Sequence, residues 1–523
     1  MQKNLITALL LWMSVAGSAK CLYVSPNGND SHEGSKEYPF ATLVKAQQVV
    51  QPGDTIYIRG GVYTPTVDKS MGVKDKIYTC AFILDKSGES ADKRICYFAY
   101  PDERVVFDMS SFAPEGQRVS VFYVNGSWLH IRDIEVTGTQ VTISEGNTQS
   151  ECFSNRGGSH NIYERLSMHD GMGIGFYLVK GSDNLVLNCD AYNNIETVSG
   201  TGGNVDGFGC HPASGGTGNV LKGCRAWWNS DDGFDLINAQ EAVIIDSCWA
   251  FYNGYQPGTF RSAADGNGIK AGGYGMSNSP KAPANIPMHI VSNSLAYYNK
   301  AGGLYSNHHL GGILWANNTA SHNRWNYRMV NRKSVAEAVD VDGYGHLLVN
   351  NLSHDPREAH LTNLDFQESF SYNNTFNENA VVPANEDFDS MNAEMLTAPR
   401  NADGTLPTIA FLRPSESTSF AKSGMGYTYP SPGYEEIIGM PETIANQWLM
   451  VATIVVKDKK AYMEGPRSDE FTKFYVNDEN VRIRNGSVDL TPYSGTVTLK
   501  ATGNGMTAIK VVNLDENSSG KCL

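Results

Sequence analysis

Asn229-Ser230-Asp231-Asp232-Gly233-Phe234-Asp235 sets three carboxylates within five residues, with no lysine or arginine among them. Such a run repels itself unless a cation lies between the acids. The pattern returns upstream as Asp206-Gly207-Phe208-Gly209 and downstream as Asn267-Gly268-Ile269-Lys270. Gly173-Ile174-Gly175 and Gly303-Leu304-Tyr305 extend the column in both directions. If each copy marks one coil of a stacked chain, Asp206 lies beside Asp232, and Lys270 beside Asp235.

A second column supports the stacking. Asn194, Asn229, Asn253, Asn299 and Asn323 end similar segments such as Cys224-Arg225-Ala226-Trp227-Trp228-Asn229 and Cys248-Trp249-Ala250-Phe251-Tyr252-Asn253. Their intervals are 35, 24, 46 and 24, and Asp170, 24 before Asn194, reads as an earlier member. The long intervals are then one coil plus loops of about 11 and 22 residues, a periodicity that predicts an all-β, parallel β-helix. Asparagine suits such corners because its side chain bonds nearby backbone and tolerates left-handed φ. An insertion near Tyr255 to Ala264 keeps Lys270 in phase with Asp235 and makes the long loops walls of a groove beside the carboxylates.

The repeats run from about Val121 and fade beyond Asp355. Ahead of them, a helix over Ala41 to Val50, stopped by Pro52-Gly53, precedes a strand over Asp54 to Arg59; this is the form of an N-terminal cap, which a solenoid needs to cover its first coil. The division expected is residues 1–19 as a signal peptide, 20–382 as the β-helix, 383–440 as a Pro-, Ser- and Asp-rich tail and linker, and 441–523 as a small β module. Strands are predicted in that module at Trp448 to Val456, Val481 to Ile483, Gly495 to Ala501 and Thr507 to Val512.

Composition narrows the function. Of 523 residues 52 are glycine, only 18% are charged, and the net charge is −14. Nucleic acid is excluded as a partner because it needs a basic footprint. A polyanionic substrate would need a local basic patch or a bridging metal. Lys3, the apolar run Leu5 to Ala16 and Gly17-Ser18-Ala19 read as a secretion signal cut after Ala19. That run falls short of the ~20 residues that span a bilayer, so the expectation is a secreted protein with no membrane span. Lys20 breaks the small-residue requirement for lipid attachment at Cys21. Among nine cysteines, Cys189, Cys224 and Cys248 share one place in their segments, which predicts a buried thiol stack rather than a disulfide framework.

Asp206, Asp231, Asp232 and Asp235 offer only oxygen, which describes a hard-cation site; Ca2+ takes ~6–8 oxygens in flexible geometry and leaves room for a substrate carboxylate. These residues, with the Gly-Asn-Gly-Ile-Lys-Ala-Gly-Gly run at Lys270, the Cys248 to Gly254 segment, the opening Tyr23-Val24-Ser25-Pro26-Asn27-Gly28 and the Pro52 to Gly61 segment, resemble polysaccharide lyase family 9, the pectate lyase L group. The resemblance covers roughly Tyr23 to Asp355. It implies a right-handed parallel β-helix, Ca2+ held by the four aspartates, and Lys270 as the Brønsted base. It further implies a secreted, calcium-dependent lyase that cleaves pectic galacturonan by β-elimination to 4,5-unsaturated products. Cys210-His211 follows Asp206 where pectate-specific members are expected to carry a basic residue, and rhamnogalacturonan I, which members of this family also cleave, is the alternative substrate. Arg261, Arg324 and Arg328 are candidates to hold further substrate carboxylates, and Tyr305 and His308 lie near the column. Two other readings remain open. One is a pectin hydrolase using Asp206, Asp231 and Asp232, whose carboxyls would stand ~6.5–9.5 Å apart. The other is a non-catalytic calcium-stabilised adhesin.

Overall fold

In the computed structural model the described residues are 19–428, apart from 69–70, 72, 76, 145–148 and 278–280, and 453–515, apart from 465–467, 469–470, 478 and 504–505. Residues 1–18 of the expected signal segment and Trp448 to Ala452 of the first C-terminal strand lie outside them.

Asparagine side chains bolt the coils together from inside. Nδ2 of Asn194, Asn229, Asn253 and Asn299 donates to Oδ1 of the next asparagine in the series at 2.9–3.1 Å, ending on Asn323. Each remaining amide proton has a backbone carbonyl, as in Asn253 Nδ2 to Ala226 O at 3.0 Å, so a buried polar column costs nothing in unmade bonds. Asp170 is not a member. Gly171 N donates to Asn194 Oδ1 and occupies the ladder position, while Asp170 pairs with Asn193 one place earlier. That earlier place is the left-handed corner, where Asp170, Asn193, Trp228, Tyr252 and Tyr298 have φ between 50° and 59°.

Between corners the chain forms three sheets of 12, 10 and 11 strands, in which strands a coil apart pair in parallel. The first runs from Cys21–Val24 to Phe370–Tyr372, the second from Gly61–Tyr63 to Leu352–His354, and the third from Tyr78–Leu84 to Ala359–Thr362, with the two-residue Val73–Lys74 antiparallel at its edge. The coils therefore begin well before Val121 and continue past Asp355. The early ones escape a search for the asparagine column because apolar strands such as Ile95–Ala99 and Arg118–Val124 hold them instead. The cap helix spans Leu43–Val49, with the Thr42 side chain accepting from Lys45 N.

The thiols stack as expected. Cys189, Cys224 and Cys248 are free and fully buried, and burial pushes the Cys189 and Cys248 thiols up. Ser294 and then Asn318, Asn351 and Asn374 take over this corner, linked by Cys248 N to Ser294 Oγ and Ser294 N to Asn318 Oδ1.

The third sheet positions the acids. Its inner row is Phe82, Phe122, Phe153, Phe176, Phe208, Phe234, Ile269 and Leu304, each in register with the next, with Phe122 and Phe153 stacked at 4.6 Å. Side chains alternate along a strand, so residues one place on form an outer row: Tyr123, Ser154, Tyr177, Gly209, Asp235, Lys270, Tyr305 and Arg328. Gly207 and Gly233 precede the phenylalanines because the corner is full: a Cβ there would stand 2.7 Å from Ala226 Cβ and 2.8 Å from Asn253 Nδ2, respectively. Upstream, the glycine in register is Gly175, since Phe176 pairs with Phe208; Gly173-Ile174-Gly175 enters the column two residues later than its spelling indicates.

The tail lies along the second sheet, where Phe388, Leu396, Phe411, Leu412 and Phe420 pack on Trp249, Phe251, Leu295 and Leu352. Beyond it two antiparallel sheets, formed by Thr453–Lys457, Lys460–Glu464 and Ser487–Asp489, and by Lys473–Val476, Glu479–Val481, Thr496–Gly503 and Met506–Asn513, enclose their own core. Lys500 pairs with Asp183 of the β-helix.

Candidate active site

Asp206, Asp232 and Asp235 come together on the third sheet, with one carboxylate oxygen of each inside a group no wider than 4.8 Å. All three are buried. In each, Oδ1 is held by the main chain: Asp232 N to Asp206 at 3.1 Å, Asn267 N to Asp232 at 2.6 Å, and Ile237 N to Asp235 at 2.7 Å. Oδ2 of Asp232 and of Asp235 is left to face Lys270 Nζ, at 2.9 and 3.0 Å. Asp235 and Lys270 are direct register partners, as the column alignment requires.

Charge in this cluster is out of balance. Burial, then Asp231, Asp235 and Asp232, drives the Asp206 carboxyl well above its usual range. Burial raises Asp232 as well, against the pull of Lys270. Burial would lower the Lys270 ammonium, but Asp232 and Asp235, helped by Asp206 and Asp231, outweigh it and hold the ammonium well above the ordinary lysine value. One ammonium does not neutralise three buried carboxylates, and Asp232 Oδ2 accepts no well-formed hydrogen bond. An all-oxygen set with one oxygen of each acid pinned by the main chain and Asp232 Oδ2 left unsatisfied fits a hard divalent cation.

Asp231 stands outside this group. Its oxygens accept from Asn204 N at 2.8 Å and Asp265 N at 3.1 Å, and its charge still acts on Asp206. Burial, then Asp232, pushes its carboxyl up to about 7. The bonds matter because Asn204 and Asp265 end the two inserted loops, 195–204 and 254–265, which lead from the second sheet to the third. The loops meet over Ser230, whose Oγ donates to Gly202 O at 2.5 Å, and form one wall. The fully buried Arg332, bonded to the carbonyls of Gly275, Ser334 and Val335, ties the segments of the opposite wall together.

Tyr305 lies beside Lys270 on the groove floor, its hydroxyl 2.9 Å from His308 Nε2, and His308 Nδ1 is 2.9 Å from Asp340. Burial pushes Tyr305 up to about 12 and His308 down. Arg328 follows Tyr305, its guanidinium over the Tyr305 ring at 5.1 Å and over Trp325 at 4.5 Å, with no acidic partner among the described residues. Arg324 is spent on Glu358 at 2.6 Å, and Arg261 projects from the wall loop, so neither is on the floor. The sequence reading did not place Tyr177 and His211, whose rings are 5.0 Å apart on the far side of Asp235; the alternation out from Phe176 and Phe208 was the available signal.

Residues 22–350 match a family described as Pel9A-like, right-handed β-helix region, and residues 367–508 match one described as rhamnogalacturonan lyase-like, C-terminal. The chain is 33% identical over 413 residues to a pectate lyase L of Dickeya chrysanthemi, covering 77% of this chain and 85% of that one. It is 29% identical to the pectate lyase PEL9 of Emericella nidulans, covering 76% and 92%. Two solved structures resemble it closely: a rhamnogalacturonan lyase (TM-score 0.75, 47% identity, 78% of this chain and 100% of that one) and pectate lyase Pel9A (TM-score 0.60, 30% identity, 77% and 91%). The chain therefore belongs to the Pel9A-like right-handed β-helix family and is a pectic polysaccharide lyase.

Proposed function

We propose that the protein is a secreted, calcium-dependent lyase that cuts the alternating galacturonate–rhamnose backbone of rhamnogalacturonan I by β-elimination. The observation that carries the chemistry is the buried Asp206, Asp232 and Asp235 cluster, with Lys270 Nζ 2.9–3.0 Å from two of its members, on the floor of a walled groove. Acids this close leave no room for the water that an inverting hydrolase places between carboxyls ~6.5–9.5 Å apart.

Substrate choice is supported by the floor. A pyranose unit advances a chain by about one strand spacing, ~4.8 Å. Next to Lys270 stands the neutral Tyr305, and the unpaired Arg328 follows one strand further. A reacting centre at Lys270 and a cation two strands on, with a neutral ring between them, suit a polymer that is acidic at every second sugar. Pectic galacturonan, acidic at every sugar, would leave a carboxylate over Tyr305. The likeness over the full length of a rhamnogalacturonan lyase and the C-terminal family match point the same way.

Asp206, Asp232 and Asp235 would hold the calcium ion, with Asp231 a candidate fourth donor at its rim. Bound there, the ion supplies Lewis-acid stabilisation of the charge that develops on the galacturonate carboxylate and lowers the cost of a neutral lysine. Lys270, as the free amine, takes the C5 proton. The C4–O bond then breaks, the rhamnose oxygen leaves, and a C4–C5 double bond forms. Asn267, which donates to Asp232 from N and Nδ2, fixes the acid beside the base. Export by residues 1–19 belongs to the same reading.

Rhamnogalacturonan I and polygalacturonate incubated separately with the enzyme and Ca2+ decide the substrate. Faster growth of ultraviolet absorbance from the unsaturated uronide is expected on rhamnogalacturonan I; faster growth on polygalacturonate would reverse the assignment.

A further inference from the structure

The floor has a gap beside Asp235 that another residue fills. Gly209 is the register partner of Asp235, and a Cβ on it would meet His211 Nε2 and Tyr177 Cδ2, each at 2.7 Å. His211 comes two residues later on the same strand face, and its ring folds back over the glycine. Cys210, between them, is buried in the core. His211 Nε2 therefore stands on the groove floor next to Asp235, on the side opposite Lys270.

The other ring nitrogen fixes the tautomer. His211 Nδ1 is 2.5 Å from Ile237 O, and because a carbonyl only accepts, Nδ1 carries the hydrogen. Nε2 of the neutral ring is then a bare acceptor, and it makes no hydrogen bond among the described residues. The ring is partly exposed, so a ligand in the groove can reach it. The next cation along the floor, Arg156, is already paired with Glu151 and lies over the Tyr78 ring.

We propose that His211 is a specificity-determining residue: its Nε2 accepts a hydroxyl of the neutral sugar next to the reacting galacturonate and turns away an acidic sugar at that place. The inference rests on the rhamnogalacturonan reading and names the group that enforces it. A rhamnose offers hydroxyl donors to the lone pair. A galacturonate turned the same way would set its carboxylate against that lone pair and against Asp235. Sites that pair a buried polar group with a substrate hydroxyl reject analogues lacking it, because the group is left unpaired.

The test compares kcat/KM on rhamnogalacturonan I and on polygalacturonate for the full-length enzyme with Ca2+, and for His211→Arg and His211→Ala with folding checked by circular dichroism and Tm. The unaltered enzyme should prefer rhamnogalacturonan I. His211→Arg, which puts a cation where the acceptor stood, should shift the preference ratio toward polygalacturonate by about tenfold or more, the size of one charge-assisted hydrogen bond. His211→Ala should lose rate on rhamnogalacturonan I with no matching loss on polygalacturonate. An unchanged ratio in both folded variants, with the preference of the unaltered enzyme intact, overturns the role of His211 alone. A preference for polygalacturonate in the unaltered enzyme overturns the substrate reading and this inference with it.

Discussion

Lys270→Ala should lower kcat by ~10²–10⁴-fold, the usual worth of a general base, and at the same time bind Ca2+ more tightly than the unaltered protein. The two effects have one cause. Lys270 Nζ is the cation that Asp232 and Asp235 face. A calcium ion entering the cluster must displace that ammonium or neutralise it. Removing the side chain removes both the base and the competitor. Lys270→Arg should be as slow as the alanine variant, because guanidinium stays charged across the usable range, and it should bind Ca2+ no better than lysine does. Only the neutral amine can accept the proton, and an ordinary lysine pKa of ~10.4 places the rise of activity on the alkaline side. Turnover measured together with calorimetric Ca2+ titration checks the pair. Near-normal turnover in Lys270→Ala would put the base elsewhere.

The second large effect is loss of the cation site. Asp232→Asn keeps an oxygen for Asn267 N and Nδ2 but removes a charge from the centre of the cluster. Ca2+ affinity should fall by more than the ~10–100-fold that even the outer partners of a metal ligand are worth, and activity should fall to near background. Chelation of the unaltered protein should abolish activity, and Ca2+ should restore it. Because an ion that binds only the folded chain raises its stability, Ca2+ should raise Tm in the unaltered protein and barely in Asp232→Asn. Full activity after exhaustive chelation, or an equal Tm rise in both proteins, would contradict the assignment.

The coil and the site were legible because several columns had to keep one phase at once. Asparagine at one corner, glycine at the next and an apolar residue after it fix both the stacking and the face on which Asp235 and Lys270 emerge. Adjacent residues that share a chemistry were harder to tell apart. Asp170 and Gly171 both suit a tight corner, and only the hydrogen bond from Gly171 N to Asn194 shows which one is the ladder position. Asp231 and Asp232 are alike in sequence, but Asp231 also takes the backbone N–H groups of the wall loops, and Asp232 that of Asn267. His211 was visible as an unusual residue after Cys210, yet its place beside Asp235 depends on a ring folding back across Gly209, and no spacing rule reports that.

The central claim is elimination by a lysine beside a cation-binding acid cluster. Cleavage of rhamnogalacturonan I in heavy-oxygen water, with the products weighed by mass spectrometry, tests it most directly. Elimination predicts new ends that carry a double bond, products whose masses sum to that of the parent chain, and no heavy oxygen incorporated. Saturated products whose masses sum to the parent chain plus one water per cut, with one heavy oxygen taken up each time, would show hydrolysis and contradict the account.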